Sequence, residues 1–324
     1  MAARADLEPL KNKLLAVMGP TGSGKSAFAL EIARSIPSEI ISCDSMAVYK
    51  GVDIGTDKVP PERREGVPHH LYDVAEAGGF FSAGMFRRMA EEAILKIRAA
   101  GRLPIIVGGT GLYARALLEG FSSAPSRDEA LRERLKKRIA SKGLSSLYGL
   151  LGRLDRQRAS EIMPNDELRI VRALEVRILT GKSFSEVMKE GRVAGSPTSD
   201  TLKLCLSLPR PLLYARIDRR VDQMVSDGIA EEARRLWISG TLRGPVAKAI
   251  GYKELVPFFE GNRGLEESVD EIKKNSRNLA KRQLTWFRKE NGLEWVRMDD
   301  EREKLAILAK VQKWYEGESH DGRS

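Results

Sequence analysis

At 324 residues the chain is long enough for one or two domains with a full core, and 42% hydrophobic against 31% charged residues excludes a largely disordered protein. Two cysteines without paired spacing, Cys43 and Cys205, exclude a disulfide framework and a cysteine-built zinc site. Three histidines argue against a histidine metal centre, and no apolar run is long enough to span a membrane. The formal net charge of +10 points to a polyanionic partner; with no apolar h-region in MAARADLEPLKNK, a cytoplasmic setting is expected.

The first short apolar run, Leu14–Met18, leads into GPTGSGKS at residues 19–26. A helix is expected to start at this glycine loop and run through Ala27, Leu30, Glu31 and Ala33 to Pro37, where proline stops it. A second run, Glu39–Cys43, ends at Asp44; a helix follows over Ala83–Ala100, closed by Gly101. The third run, Pro104–Gly108, opens into a Gly-Gly-Thr-Gly turn containing Thr110. From Ser126 to Ser196 the rhythm changes to charged, helical sequence without strand-like segments, closing in the turn-rich GRVAGSPTSD. Runs at Lys203–Leu208 and Glu294–Met298 then resume the sheet, and the tail EGESHDGRS reads as disordered.

Short apolar strands alternating with helix-period sequence give an α/β fold: a P-loop core with a mostly parallel sheet flanked by helices, plus an all-helical insertion. The division is 1–125 and 197–324 for the core, whose C-terminal helices are basic, and 126–196 for the insertion. Between Arg127 and Arg192, sixteen Lys and Arg stand against ten Asp and Glu, so this segment holds six of the ten excess charges. Such helices suit either an RNA clamp or a solvated lid.

G-x-x-x-x-G-K-S between a strand and a helix is a specific phosphate signal. Its glycines let backbone N–H groups face a diphosphate, the helix N-terminus adds its dipole, Lys25 supplies a point charge, and Ser26 offers a hydroxyl to Mg²⁺. Nothing in this physics requires a nucleoside triphosphate. Asp44, at the end of a neighbouring strand, shares the ligand crevice with the loop. There it can act as a base, cap the next turn, or bind Mg²⁺ through water. In RNLAKRQLTWFRKE, Ala280, Leu284 and Phe287 form one helical face and Arg277, Lys281 and Arg288 another; Trp286 reads as a packed aromatic ahead of a base-stacking one.

Taken in order, GPTGSGKS, ISCDSMAVYKGVDIGTDK, PHHLYD, FSAGMFRR, IIVGGTGLYARALLEG, RALEV and LAKRQLTWFR resemble the tRNA dimethylallyltransferase family, also called isopentenyl-diphosphate:tRNA transferase. The resemblance covers nearly the whole chain. It implies transfer of a dimethylallyl group from dimethylallyl diphosphate to N6 of the adenosine 3′ of the anticodon, in tRNAs reading U-initial codons, with release of pyrophosphate. It also implies the anticodon stem-loop as partner; Mg²⁺ is expected as cofactor from the glycine loop, and a monomer is expected. Carried onto this sequence, the diphosphate loop is Gly19, Pro20, Thr21, Gly22, Ser23, Gly24, Lys25 and Ser26, with Ser26 on the metal. Asp44 and Thr110 fall on catalytic positions, and Arg220, with Arg216 one turn earlier, on a second cationic contact to the diphosphate. The implied tRNA contacts are Asp44, Ser45, Met46 and Ala47; Thr110; Arg132; Leu168, Arg169, Ile170, Val171 and Arg172; and Lys248, Ala249, Ile250, Gly251, Tyr252 and Lys253. Ala47 departs from the glutamine of many members. The zinc finger of eukaryotic members has no counterpart in the cysteine-free C-terminal region, so a bacterial-type protein is expected.

Two other classes share the loop. A phosphoryl transferase acting on a nucleoside or small metabolite would hold ATP there and use the insertion as a lid. A nucleic-acid-binding ATPase would show a second acidic motif after an apolar strand.

Overall fold

β1 (Lys13–Met18) is KLLAVM, and the sheet buries it on both faces, with Leu14 to Val17 at 0% exposure. That is the environment of a central parallel strand, and it explains a run with no polar alternation. The computed structural model describes residues 12–120, 124–125, 127–189 and 200–317. The turn-rich 191–199 stretch and the 318–324 part of the expected disordered tail lie outside them.

After β1 come α1 (Lys25–Ala33), β2 (Ser38–Ser42), β3 (His69–His70), α2 (Ala83–Ala99), β4 (Leu103–Gly108) and α3 (Gly111–Leu118). Five helices follow: α4 (Glu129–Lys142), α5 (Leu144–Leu154), α6 (Arg156–Glu161), α7 (Glu167–Thr180) and α8 (Phe184–Lys189). The chain then forms β5 (Asp200–Ser207), α9 (Arg210–Ser226), α10 (Ile229–Ile238), α11 (Val256–Phe259), α12 (Leu265–Phe287), β6 (Glu294–Arg297) and α13 (Glu301–Glu316). The described strands make one parallel sheet in the order β3-β2-β4-β1-β5-β6. β3 is absent from the sequence expectation: two residues, His69 and His70, pair with Ile40 and Ile41 and are too short for any periodicity to mark.

α1 stops at Ala33, short of Pro37. Arg34 takes the C-cap, and the Ser35 and Ile36 amides both donate to Ile32 O, tightening the last turn. The cause is local, because a residue before proline is driven out of helical geometry.

The chain divides into two compact units, 1–114 with 197–324, and 115–196, so the first boundary falls inside α3. In the first unit the core joins β1, β2, β4 and β5 to α1 and α13 through Leu15, Val17, Phe28, Ile40, Ile105, Leu204 and Ile307. The second unit, α4 to α8, has its own core of Leu131, Leu135, Leu147, Leu151, Ile162, Ile170 and Leu174. Three of its helices begin with aspartate caps: Asp128, Asp155 and Asp166 accept from the amides of Leu131, Arg158 and Arg169.

β1 and its neighbour β5 send their connections in opposite directions, to β2 on one side and to β6 on the other. This is a topological switch point, and ligands of parallel sheets bind beyond the carboxyl ends of the strands there. Register puts Met18 opposite Gly108 and Ser42 opposite Val107, so the glycine loop, Asp44 and the Gly-Gly-Thr-Gly turn emerge on one edge.

Candidate active site

At that edge lies a cavity of about 650 Å³ within the first unit. The glycine loop forms one wall. Gly24 is the N-cap of α1 at φ +91°, a left-handed conformation natural to glycine, and no side chain caps the helix. Its first amides and its dipole are therefore available to an anion. Lys25 lines the cavity and folds its Nζ back to donate to Pro20 O at 2.7 Å. Burial, and then the Arg220 cation, push Lys25 down to about 8 against the pull of Asp44.

α9 supplies Arg216, Arg219 and Arg220 to the same cavity. Arg220 Nη1 donates to Asp57 Oδ2 at 3.3 Å, while its buried Nε has no hydrogen-bond partner. Arg216 is exposed and stands beside Gly24. A buried, unsatisfied guanidinium N–H next to an open helix N-terminus is a donor set made for an oxyanion.

Opposite stands Asp44. Its Oδ1 accepts from the Met46 amide at 2.7 Å and the Ala47 amide at 3.2 Å, which is the capping role anticipated for an acid at a strand end. Among the described residues Oδ2 has no hydrogen-bond partner, so one oxygen anchors the carboxylate and the other stays available. Thr110 is placed behind this turn: its Oγ1 accepts from the Ser45 amide at 3.0 Å, and its own amide donates to Cys43 O at 3.2 Å. The threonine hydroxyl thus braces the Asp44 turn, while Gly108 and Gly109 line the cavity.

Several cavity residues lie outside the sequence expectation. Gln283 of α12 accepts from the Thr21 amide and donates to Gly109 O. His69 and Tyr72 stack at 5.7 Å between ring centroids; His69 Nδ1–H donates to Val67 O, leaving a buried Nε2 without a partner. Burial, the largest cause, lowers His69, and burial also pushes Tyr72 up to about 12. PHHLYD and LAKRQLTWFR contain these residues, but only the crossing of β3 and α12 over the sheet edge reveals their place. Trp286 is half-buried with its indole packed against Gly111, where an added Cβ would lie 2.2 Å from the ring.

Of the implied tRNA contacts, Ser45 and Met46 are half-buried, and Met46 and Ile250 line the cavity. Ala47 and Ala249 are buried by neighbouring protein but line the cavity, whereas Tyr252, at 0% exposure, does not line it. Gly251 is buried, and Lys248 and Lys253 are exposed on either side. In the helical unit Leu168 and Arg169 are exposed, whereas Ile170 and Val171 belong to the hydrophobic core. Arg132 and Arg172 are already engaged. Both donate to Glu175, which is 0% exposed, and Arg172 also donates to Pro125 O. Burial alone raises the Glu175 carboxyl, but hydrogen bonds from Arg132, Arg172 and the Asp128 amide hold it down to about 2. These two arginines are therefore partners of a buried charge, whatever else they contact.

An oxyanion-binding loop at the switch point of a parallel sheet, with arginines on one side and a half-engaged carboxylate on the other, defines a P-loop α/β protein whose anion site faces an acid. The chain belongs to the IPP transferase family, whose model matches residues 47–290. It is 45% identical over 300 residues to the tRNA dimethylallyltransferase of Geobacillus thermodenitrificans, covering 92% of this chain and 94% of that one. With the tRNA dimethylallyltransferase of Geobacter metallireducens it shares 43% identity over 311 residues, 95% and 99% of the two chains. Among solved structures it is similar to the tRNA isopentenylpyrophosphate transferase of Bacillus halodurans, with a TM-score of 0.69, 39% identity, and 95% and 98% coverage. A eukaryotic dimethylallyltransferase captured acting on tRNA gives a TM-score of 0.81 at 28% identity, over 96% of this chain and 81% of that one.

Proposed function

We propose that the chain is a tRNA prenyltransferase, moving a dimethylallyl group from dimethylallyl diphosphate to N6 of the adenosine 3′ of the anticodon and releasing pyrophosphate. The observation that carries this reading is the pairing in one cavity of the Lys25 and Arg220 cations with an Asp44 carboxylate that keeps one oxygen unengaged.

The chemistry follows from the nucleophile. The lone pair of an exocyclic amine is delocalised into the ring, so N6 must be positioned and must lose a proton as the C–N bond forms. Asp44 Oδ2 takes that proton, while the two amide bonds to Oδ1 and the Thr110 brace keep the carboxylate aimed. A stacked base cannot offer N6 to a cavity, so the nucleotide is flipped out of the anticodon loop. On the other side the loop amides, Lys25, Arg216 and Arg220 take up the charge that grows on the departing diphosphate.

Ser26, in the first turn of α1 and on the cavity wall, is a hard oxygen donor of the kind Mg²⁺ takes when phosphate oxygens and water complete its shell. The residues fit the ion: Ser26 would hold it, and it would add positive charge at the leaving group. Lys248, Lys253, Leu168 and Arg169 are the surface positions offered to the anticodon stem-loop, and the reaction is assigned to the cytoplasm, where its tRNA substrate resides.

Incubation with Mg²⁺, unmodified tRNA and either labelled dimethylallyl diphosphate or γ-labelled ATP tests the assignment. Label is expected to move from the isoprenoid to tRNA. Transfer of the ATP phosphate to any acceptor, with the isoprenoid left intact, restores the kinase reading, which the family membership disfavours.

A further inference from the structure

Residues 53–58 form a turn on the cavity rim that is pinned from behind. The Glu232 carboxylate, 3% exposed on α10, accepts from three successive amides, Asp53 at 3.1 Å, Ile54 at 3.0 Å and Gly55 at 3.2 Å, and from Tyr252 O–H at 2.5 Å. In front, Thr56 Oγ1 donates to Val52 O at 2.7 Å, and the Lys58 ammonium donates to Asp53 and Asp73. Held this way, Asp57 sits at φ +56°, a left-handed conformation that costs a non-glycine residue free energy and that aspartate tolerates better than most.

The product of this arrangement is a carboxylate on the wall of an anion site. Asp57 lines the same cavity as Lys25, Arg216, Arg219 and Arg220, and its Oδ2 accepts from Arg220 Nη1 at 3.3 Å. On charge alone an acid there opposes the binding of a diphosphate. It also solves a problem of the site: Arg220 shares the cavity with four other cations, Lys25, Lys58, Arg216 and Arg219, and the Asp57 carboxylate on a pinned turn gives its guanidinium a preferred orientation. The buried Nε of Arg220, which has no protein partner, is then left for the ligand.

We propose that Asp57 is a positioning residue, orienting Arg220 toward the charge that develops on the leaving diphosphate. The inference rests on the prenyl-transfer reading of the same cavity. Asp57 touches no reacting atom; it acts through Arg220, so its contribution exists only while Arg220 is present.

A double-mutant cycle measures this. Asp57→Asn keeps a side chain suited to left-handed backbone and removes the charge. In the Arg220 background it is expected to lower single-turnover kcat by roughly fivefold while the KM for dimethylallyl diphosphate stays level or falls, because a repulsive charge has been removed. In the Arg220→Ala background the same change should have no further effect on kcat. An equal loss in both backgrounds, no loss in either, or a rise in donor KM that tracks a lowered Tm would overturn the inference. Asp57→Gly, which relieves the backbone without restoring the carboxylate, should behave as Asp57→Asn in kcat; recovery of wild-type kcat would assign the effect to backbone strain instead. Wild-type protein without isoprenoid transfer, or unchanged kcat in Arg220→Ala, would strike the underlying reading and is distinguishable from failure of the Asp57 coupling.

Discussion

Gln283 Oε1 accepts a hydrogen bond from the Thr21 amide at 2.8 Å across 262 positions of sequence, and the same side-chain amide donates to Gly109 O at 3.0 Å. One residue of α12 therefore ties the glycine loop to the turn that braces Asp44. On the proposed reading, the leaving-group side and the base side of the cavity share one frame through this amide.

Gln283→Ala removes both bonds and is expected to raise the KM for dimethylallyl diphosphate by roughly tenfold, the cost of about one hydrogen bond, with tRNA affinity little changed. Gln283→Glu keeps an acceptor for Thr21, loses the donor to Gly109 and sets an anion beside the diphosphate, so it should be the worse variant. Steady-state kinetics with each substrate varied in turn decides.

Asp44→Asn retains an oxygen for the Met46 and Ala47 amides and loses the proton acceptor. Turnover should fall by roughly 10²- to 10⁴-fold while both substrates still bind. Ser26→Ala provides the contrast, because raising Mg²⁺ should recover part of its rate by mass action. Recovery of the Asp44→Asn rate at high Mg²⁺, measured in single turnover at saturating tRNA, would transfer Asp44 from base to metal site.

Lys25 lies at about 8 instead of its usual value, chiefly through burial and then through Arg220. The sign is simple: the cation is present below that pH and is lost above it. The kcat/KM for dimethylallyl diphosphate, which reports the free enzyme, should decline as pH rises through about 8. Stability should move the other way. Between about 8 and the unfolded lysine value the unfolded chain binds the extra proton, so Lys25 makes the fold relatively more stable as pH increases there. Lys25→Met should accordingly raise Tm at neutral pH while abolishing transfer, which a melt and an activity assay on the same sample will show.

In the helical unit Arg132→Ala leaves Glu175 buried without half of its compensation, and a loss of about 3–5 kcal/mol in stability is expected. Arg169 is exposed and pairs with Asp166 at the surface, so Arg169→Ala should leave the melt nearly unchanged and reduce the log–log salt slope of tRNA binding by roughly 1. The depressed Glu175 carboxyl adds a pH signature. Its stabilisation is present above the normal carboxylate range and is lost as pH falls toward about 2, so Glu175→Gln should flatten that limb of the acid-unfolding curve.

Local chemistry made much of this legible in the sequence. The five longer strands, the glycine loop and the helical interruption follow from periodicity and turn residues that act within a few positions of one another, and Asp44 and Thr110 are marked by their place at strand ends. Tertiary structure decided which charges remain available. Arg132, Arg169 and Arg172 look alike in sequence; Glu175 engages Arg172 one turn away on α7 and, through packing of α4 on α7, Arg132, while Arg169 stays at the surface. Tyr252 looks like a surface aromatic in KAIGYK but is buried, donating to Glu232 twenty positions away. Asp57 and Gln283 lie in recognisable motifs, but their roles are set by partners 163 and 262 positions off, and that of His69 by a cavity that exists only once β3, α9 and α12 meet at the sheet edge. The reason is physical. Backbone propensity and hydrophobic pattern act along the chain, whereas the burial and pairing of a charge depend on what folding places next to it.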